Sequence, residues 1–399
     1  MRRALPYLLM MASACGCTKS TPAPAPSSPV SGSADVAAPH DLAPVPPPKA
    51  AFVPSDIPRI DVHTHIEVGA LKKAIALLGA HHIVHIVNLS GGSPGGDGLE
   101  ETLAEAKQVG HTTVFVNPDF REAKKGPGYG ARMAAKIKQA HDLGAVGIKI
   151  TKGLGLGYTD ARGQLLAVDD RGLDPVFEMA GKLGMPITIH TGDPKAFWKP
   201  ATPDNERFDE LRVHPGWSFF GAPVTWEGLY AQFERRVARH PKTTFIGAHF
   251  GNDPEDPAHV ATMLDRHKNL VIDTAARLPE IGRVDANHDA GRMRAFFEKY
   301  KTRILFGTDV GVGNDDADLM LGSTGATPPG PADIERFFTS TWRWFETRDK
   351  QIPSPTPIQG RWNIDGIGVG RDVLEAVYHG NAERVLGVKL PSSGGGAAE

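Results

Sequence analysis

Cysteine is nearly absent. Of 399 residues only Cys15 and Cys17 are cysteine. A disulfide framework in the folded domain is excluded, so its stability must come from packing. An excess of one charge is lacking as well. The 44 basic and 46 acidic residues leave a net charge of −2, which gives no electrostatic case for nucleic acid as a partner. Long apolar runs are missing: the stretch at residues 4–11 is too short to span a bilayer. No glycine-rich dinucleotide fingerprint directly follows an early strand-like run, which weighs against an open Rossmann sheet. No serine is read as a nucleophile elbow, and the cysteines lie outside the domain, so a covalent serine or cysteine hydrolase is not expected.

What is present begins with an export pattern. Met1-Arg2-Arg3 precedes the apolar stretch, and Ala12-Ser13-Ala14 precedes Cys15. A basic start, a short apolar core and small residues read as a secretory signal. Small residues directly before a cysteine resemble the lipobox of bacterial lipoproteins. The expectation is a signal over 1–17, lipidated at Cys15 with Cys17 as the alternative, and a protein tethered to a bacterial membrane facing the periplasm or the cell exterior. A plain cleaved signal is the other reading. Residues 18–55 are rich in Pro, Ala and Ser, a composition that favours extended chain over a core and reads as a stalk. Residues 391–399 read as a disordered tail. Residues 56–390 remain for one folded domain.

Within it, short β-branched runs alternate with helical stretches. Runs fall at 60–65, 83–89, 112–117, 146–151, 187–190, 244–249, 270–274 and 304–309. Amphipathic segments at 99–109, 131–143, 226–240, 292–300 and 373–386 fit between and after them. Eight βα alternations predict an α/β parallel sheet closed into a TIM (β/α)8 barrel. Two connections are long, 191–225 after the fifth strand and 310–372 after the eighth. Both follow the C-terminal end of a strand, the active-site face of such a barrel, and are expected as lid loops.

His63 and His65 lie two apart on the first run, so strict alternation puts them on one face with Asp61, and Val62 and Thr64 on the helix side. Two imidazoles at a strand end can grip one metal ion, though in a chain with 16 histidines such a pair is a weak signal alone. Position strengthens it: His190 ends the fifth run, His249 the sixth and Asp309 the eighth, and barrel strand ends converge on one mouth. Four His and one Asp form an N/O set suited to a divalent cation. Lys149 ends the fourth run in the inward phase. Three roles stay open for it: a carbamylated bridge between two metals, an ammonium for a substrate carboxylate, or an ion-pair partner of Asp309 or Asp61.

These residues, with Gly307-Thr308-Asp309 and the ending Tyr378-His379-Gly380-Asn381-Ala382-Glu383-Arg384-Val385-Leu386-Gly387, resemble the amidohydrolase superfamily over roughly residues 57–390. The branch resembled includes aminocarboxymuconate-semialdehyde decarboxylase and pyrone-dicarboxylate lactonase. The resemblance implies that His63, His65 and Asp309 bind the catalytic metal, with His190 a ligand in many members. It implies that His249 is a second ligand or an acid/base. Lys149 matches the carbamylated position of binuclear members only in strand number.

The expected cofactor is one or two divalent ions, Zn2+ first and Mn2+ or Fe2+ as alternatives. Such an ion lowers the pKa of its water to about 7. Asp309 or His249 would take the proton, and hydroxide would attack an amide, lactone or ester carbon. The alternative is loss of CO2 from a metal-polarised substrate. A third reading, from another class, is a lipid-anchored binding protein without turnover. Arg277 after the seventh strand, with Trp198, Arg207 and Trp217 in the first long loop, are candidate contacts for a small aromatic or carboxylate-bearing substrate. Trp342-Arg343-Trp344-Phe345 in the second loop reads as helical packing. The sequence sets no oligomeric state, and the membrane enters only through the lipid.

Overall fold

The computed structural model describes residues 52–192 and 194–390. The signal, the two cysteines, nearly all of the stalk, Asp193 and the tail lie outside the described residues.

The eight barrel strands are β1 (Arg59–Ile66), β2 (Ile83–Asn88), β3 (Thr112–Val116), β4 (Gly147–Ile150), β5 (Ile187–Ile189), β6 (Phe245–Gly247), β7 (Leu270–Asp273) and β8 (Ile304–Leu305). Each pairs in parallel with the next, β1 through β8. Two more strands follow. β9 (Val310–Val312) pairs in parallel with β1, and β10 (Leu319–Leu321) runs antiparallel to β9. The chain between β8 and β9 closes the ring: Val62 N donates to Phe306 O at 3.0 Å, and Asp309 N donates to His63 O at 2.8 Å. The sheet is therefore a closed barrel with a β9–β10 flap on one rim. Helices such as Leu99–Val109, Tyr129–Leu143, Trp226–Arg239 and Pro257–Arg266 cover its outside. Among the described residues, no helix is long and apolar enough to cross a membrane.

Strand alternation sorts the core into two layers. Val87, Phe115, Ile246, Val271 and Leu305 fill the barrel interior, while Ile86, Val114, Ile148, Ile187, Leu270 and Ile304 face the helices. A Cβ at Gly147 would sit 2.3 Å from the Phe115 ring, so glycine there makes room for the ring that plugs the interior. The closing helix supplies Ala382 and Leu386 to the same inner cluster and seals it. Asn381 Nδ2 donates to Ile304 O at 2.7 Å, which ties that helix to β8.

One expectation fails in β1. Ile60 and Val62 both belong to the interior cluster, and the pairing with β2 is irregular between Asp61 and Thr64. That irregularity resets the phase. Val62 stays inside, His63 still reaches the mouth, and Asp61 is turned to a structural task described below.

The long connections are not bare loops. The one after β5 carries the short helix Phe208–Val213 and turns at Lys195–Trp198 and Pro215–Trp217. The one after β8 carries β9, β10 and the helix Pro331–Glu346, whose Trp342, Trp344 and Phe345 are buried as the sequence suggested. The two are joined to each other. Glu210 accepts from the Ser323 hydroxyl, and His214 Nε2 lies 2.8 Å from Thr324 O.

Candidate active site

The strand ends bring His63, His65, Lys149, His190, His249 and Asp309 to one mouth, all at most 4% exposed. One atom each from His63, His249 and Asp309 lies within 4.8 Å of the others. His65 and His190 stand one step out: His65 Nε2 is 3.3 Å from Asp309 Oδ1, and His190 Nδ1 is 3.2 Å from His249 Nε2.

Asp273 organises this cluster, and the sequence reading missed it. Its Oδ2 accepts from His63 Nδ1 at 2.8 Å, and its Oδ1 accepts from His249 N at 2.8 Å and Ala275 N at 3.1 Å. A donor on His63 Nδ1 leaves the Nε2 lone pair facing the mouth, the tautomer a metal ligand needs. His249 Nδ1 likewise donates to Ala275 O at 3.0 Å, so its Nε2 is also an acceptor. His65 Nδ1 pairs with Ser90 Oγ at 2.7 Å. The signal for Asp273 was available, since it falls in the seventh run in the same inward phase as Val271. Nothing in the local sequence marks Ser90.

Backbone strain concentrates at the same place. His249 (φ 54) and Asp309 (φ 63) take left-handed conformations, each costing on the order of 1–2 kcal/mol for a non-glycine residue. Both chain segments leave the strand direction here, so β6 ends before His249 and β8 before Asp309, earlier than the extended runs expected from sequence. The Asp273 carboxylate and the Asp309 N to His63 O bond hold the bent segments. Asp61 holds a third bend. Its Oδ1 accepts from His63 N at 3.0 Å and Thr308 N at 3.1 Å, and its Oδ2 pairs with Thr308 Oγ1 at 2.5 Å. Burial pushes the Asp61 carboxyl up to about 7.

Electrostatics favour neutral His65 and His249 rings and an ionised Asp309. Burial pushes His65 down to about 4 and His249 well below its usual value, the latter helped by His190 and Arg277. Burial pushes Asp309 up, but His63 and His65 outweigh it and hold the carboxyl below its ordinary value. Asp309 Oδ1 is buried without a hydrogen bond. Two imidazole nitrogens and one ionised, under-coordinated carboxylate oxygen fit a divalent cation. Lys149 complicates the fit. Its Nζ lies 3.1 Å from His63 Nε2, so the amine occupies the lone pair that a cation would take.

Above the cluster lies a narrow cleft of about 30 Å3. Its lining includes Lys152, Trp217, Arg277, Glu210, Met320 and Gln359, beside His190, His249 and Asp309. Of the four substrate-contact candidates, Arg277 and Trp217 line this cleft. Trp198 and Arg207 are not among the lining residues. Trp198 donates from Nε1 to Gly192 O at 2.7 Å and packs on Phe219. Arg207 is fully buried between Glu210 and Glu280, where it braces the first insertion. Lys152 sits 5.1 Å from the Phe197 ring and 6.0 Å from that of Trp217. It lies two residues past β4, beyond the strand pattern, and carries no motif. Gly91-Gly92-Ser93-Pro94-Gly95 does spell G-x-S-x-G, contrary to the sequence reading, yet Ser93 Oγ donates to Asn117 O and the next helix starts only at Leu99. It has none of the geometry of a nucleophile elbow.

The amidohydrolase family profile matches residues 126–388. No curated protein matches the chain. Among solved structures, an uncharacterised TIM-barrel protein from Bordetella bronchiseptica is 14% identical, covering 82% of this chain and 98% of its own, with a TM-score of 0.47. A dihydroxybenzoic acid decarboxylase from Polaromonas sp. JS666, solved with manganese and 2-nitroresorcinol, is 13% identical, covering 83% and 97%, TM-score 0.45. A 5-carboxyvanillate decarboxylase from Sphingomonas paucimobilis is 13% identical, covering 84% and 100%, TM-score 0.45.

Proposed function

Because the chain belongs to the amidohydrolase family, we propose that it is a metal-dependent enzyme for a small cyclic carboxylate, and that it releases the carboxylate as CO2. The observation that carries this reading is the composition of one cleft: a buried His/Asp cluster at its floor, with Arg277, Lys152 and an aromatic wall above.

His63, His249 and Asp309 would hold the cation, with His65 and His190 adjoining, and Zn2+ ahead of Mn2+ or Fe2+ for this donor set. Bound there, it supplies Lewis-acid polarisation of a substrate oxygen. Arg277 and Lys152 bind the carboxylate, and Phe197 and Trp217 hold the ring. Burial works on the ground state. A carboxylate taken from water into this cleft loses solvation that matters less once its charge disperses into the ring as neutral CO2 departs. As the C–CO2 bond breaks, its electron pair stays on the ring carbon and a proton must replace it. His190, beside the cluster with its Nδ1 3.2 Å from His249 Nε2, would deliver that proton as an imidazolium and return to the neutral ring.

Hydrolysis of a lactone or ester is the second reading. It is favoured by Asp309 Oδ1, 3.4 Å from His63 Nε2 and 3.3 Å from His65 Nε2, where it can take a proton from water.

One experiment separates the two. The full chain loaded with Zn2+ or Mn2+ is given carboxyl-labelled (13C) benzoates and cyclic lactones in 18O water. Release of 13CO2 without 18O in the organic product is expected. Incorporation of 18O without CO2 establishes the hydrolase instead, and turnover of neither class by metal-loaded protein contradicts both readings.

We also read residues 1–17 as a lipoprotein signal that anchors the barrel through Cys15, or Cys17, to a bacterial membrane. Mass spectrometry of the mature N-terminus from bacterial membranes tests this. An unmodified N-terminus in the aqueous fraction would refute it.

A further inference from the structure

Gln359 lines the cleft with half of its polar capacity unused. It ends the turn Pro357–Gln359 in the second insertion, is 1% exposed, and lines the cleft with Arg277 and Asp309. Its Nε2 donates to Gly322 O at 3.1 Å, which fixes which end of the amide is the donor. The other end, Oε1, is buried and takes no hydrogen bond. The side chain is not loosely placed. Gln359 N donates to Thr356 O at 3.0 Å, and the next residue, Gly360, lies so close under the Trp362 ring that a Cβ there would stand 2.1 Å from it. Gly322 N in turn donates to Asp309 O at 3.2 Å, so Gln359 is tied through one glycine to the candidate metal ligand. A buried acceptor left unsatisfied is costly, and a substrate that satisfies it recovers that cost on binding.

We propose that Gln359 Oε1 accepts a hydrogen bond from a donor on the substrate, and that the enzyme's substrate is a cyclic carboxylate that also carries a ring O–H or N–H. This rests on the carboxylate reading above and narrows it. Gln359 then acts as a specificity residue. A ring with no donor leaves the buried Oε1 unpaired, and a site built to hydrogen-bond a substrate rejects the analogue lacking that group far better than an apolar pocket does.

The test is binding, read by calorimetry on the full chain loaded with Zn2+. The probes are benzoate, the three hydroxybenzoates, the three aminobenzoates and the matching methoxybenzoates, which keep the oxygen but not the donor. At least one hydroxy or amino isomer is expected to bind roughly 10-fold or more tighter than benzoate and than its methoxy analogue. Which series shows the preference tells O–H from N–H. In Gln359→Met the preference falls to below about 2-fold, while benzoate itself binds within about 2-fold of wild type, which also shows that the variant is folded. Equal affinities across the series in wild type, a measurement that needs no variant, overturn the proposal. So does a preference that survives Gln359→Met. Either result leaves the carboxylate reading standing, whereas failure of every benzoate to bind removes that reading and this one together.

Discussion

Asp273→Asn is the most informative single change. One carboxylate performs three tasks: it accepts from His63 Nδ1, from His249 N and from Ala275 N. The amide keeps the shape and loses one acceptor. If its oxygen faces the two backbone N–H groups, its NH2 faces His63 Nδ1 and forces the proton onto Nε2, the atom that points at the cluster. If it is flipped, the NH2 opposes two backbone donors and the left-handed turn at His249 loses its brace. Partners that orient metal-bound histidines carry about 10–100-fold in metal affinity, or about 1.4–2.7 kcal/mol. A buried donor left unpaired costs about 1–3 kcal/mol of stability in addition. The side chain is fully buried, so solvent screening does not dilute either effect. Competition with a chromophoric chelator gives the affinity, and thermal unfolding of the metal-free protein gives the stability. An Asp273→Asn protein that binds Zn2+ within about 2-fold of wild type would refute the argument that Asp273 sets the His63 tautomer.

Three further outcomes are expected. Lys149→Met should bind metal at least as tightly as wild type, because the amine 3.1 Å from His63 Nε2 competes for that lone pair; lowered metal content by elemental analysis would point to a lysine-bridged pair of ions instead. Asp309→Ala should lose metal and some stability, since the carboxylate that His63 and His65 hold ionised goes with it; unchanged metal content by elemental analysis would contradict this. His259 gives a pH signature. Its bond to Asp253 at 2.8 Å raises its pKa, so the stabilisation is present below the ordinary histidine value and is lost as pH rises through the raised one. His259→Gln should therefore lower the melting temperature in mild acid and leave it unchanged in mild alkali; the reverse trend would contradict the assignment.

How much of this was legible in sequence varied with the physics involved. The eight strands could be read because each carries its own alternation of β-branched residues, and that pattern is local. The grouping of the strand ends could be read because barrel topology sends every such end to one mouth, so placing His190, His249 and Asp309 together needed no contact information. The phase of Asp61 could not be read, because the irregularity in β1 that turns it is imposed by pairing with β2. Arg207 was misread for a related reason. Its partner Glu280 is distant in sequence, and only the fold makes a buried arginine out of a loop one. Gln359 and Lys152 were missed because no motif surrounds them. They reach the cleft through the path of an insertion and of a strand exit.

The central claim is that the strand-end cluster is a metal site, and elemental analysis of the purified full chain tests it most directly. After incubation with Zn2+ or Mn2+ and removal of excess, about one ion per chain is expected in wild type and none in His63→Ala or Asp309→Ala. A folded wild-type protein that retains no divalent ion under any of these conditions would contradict the claim.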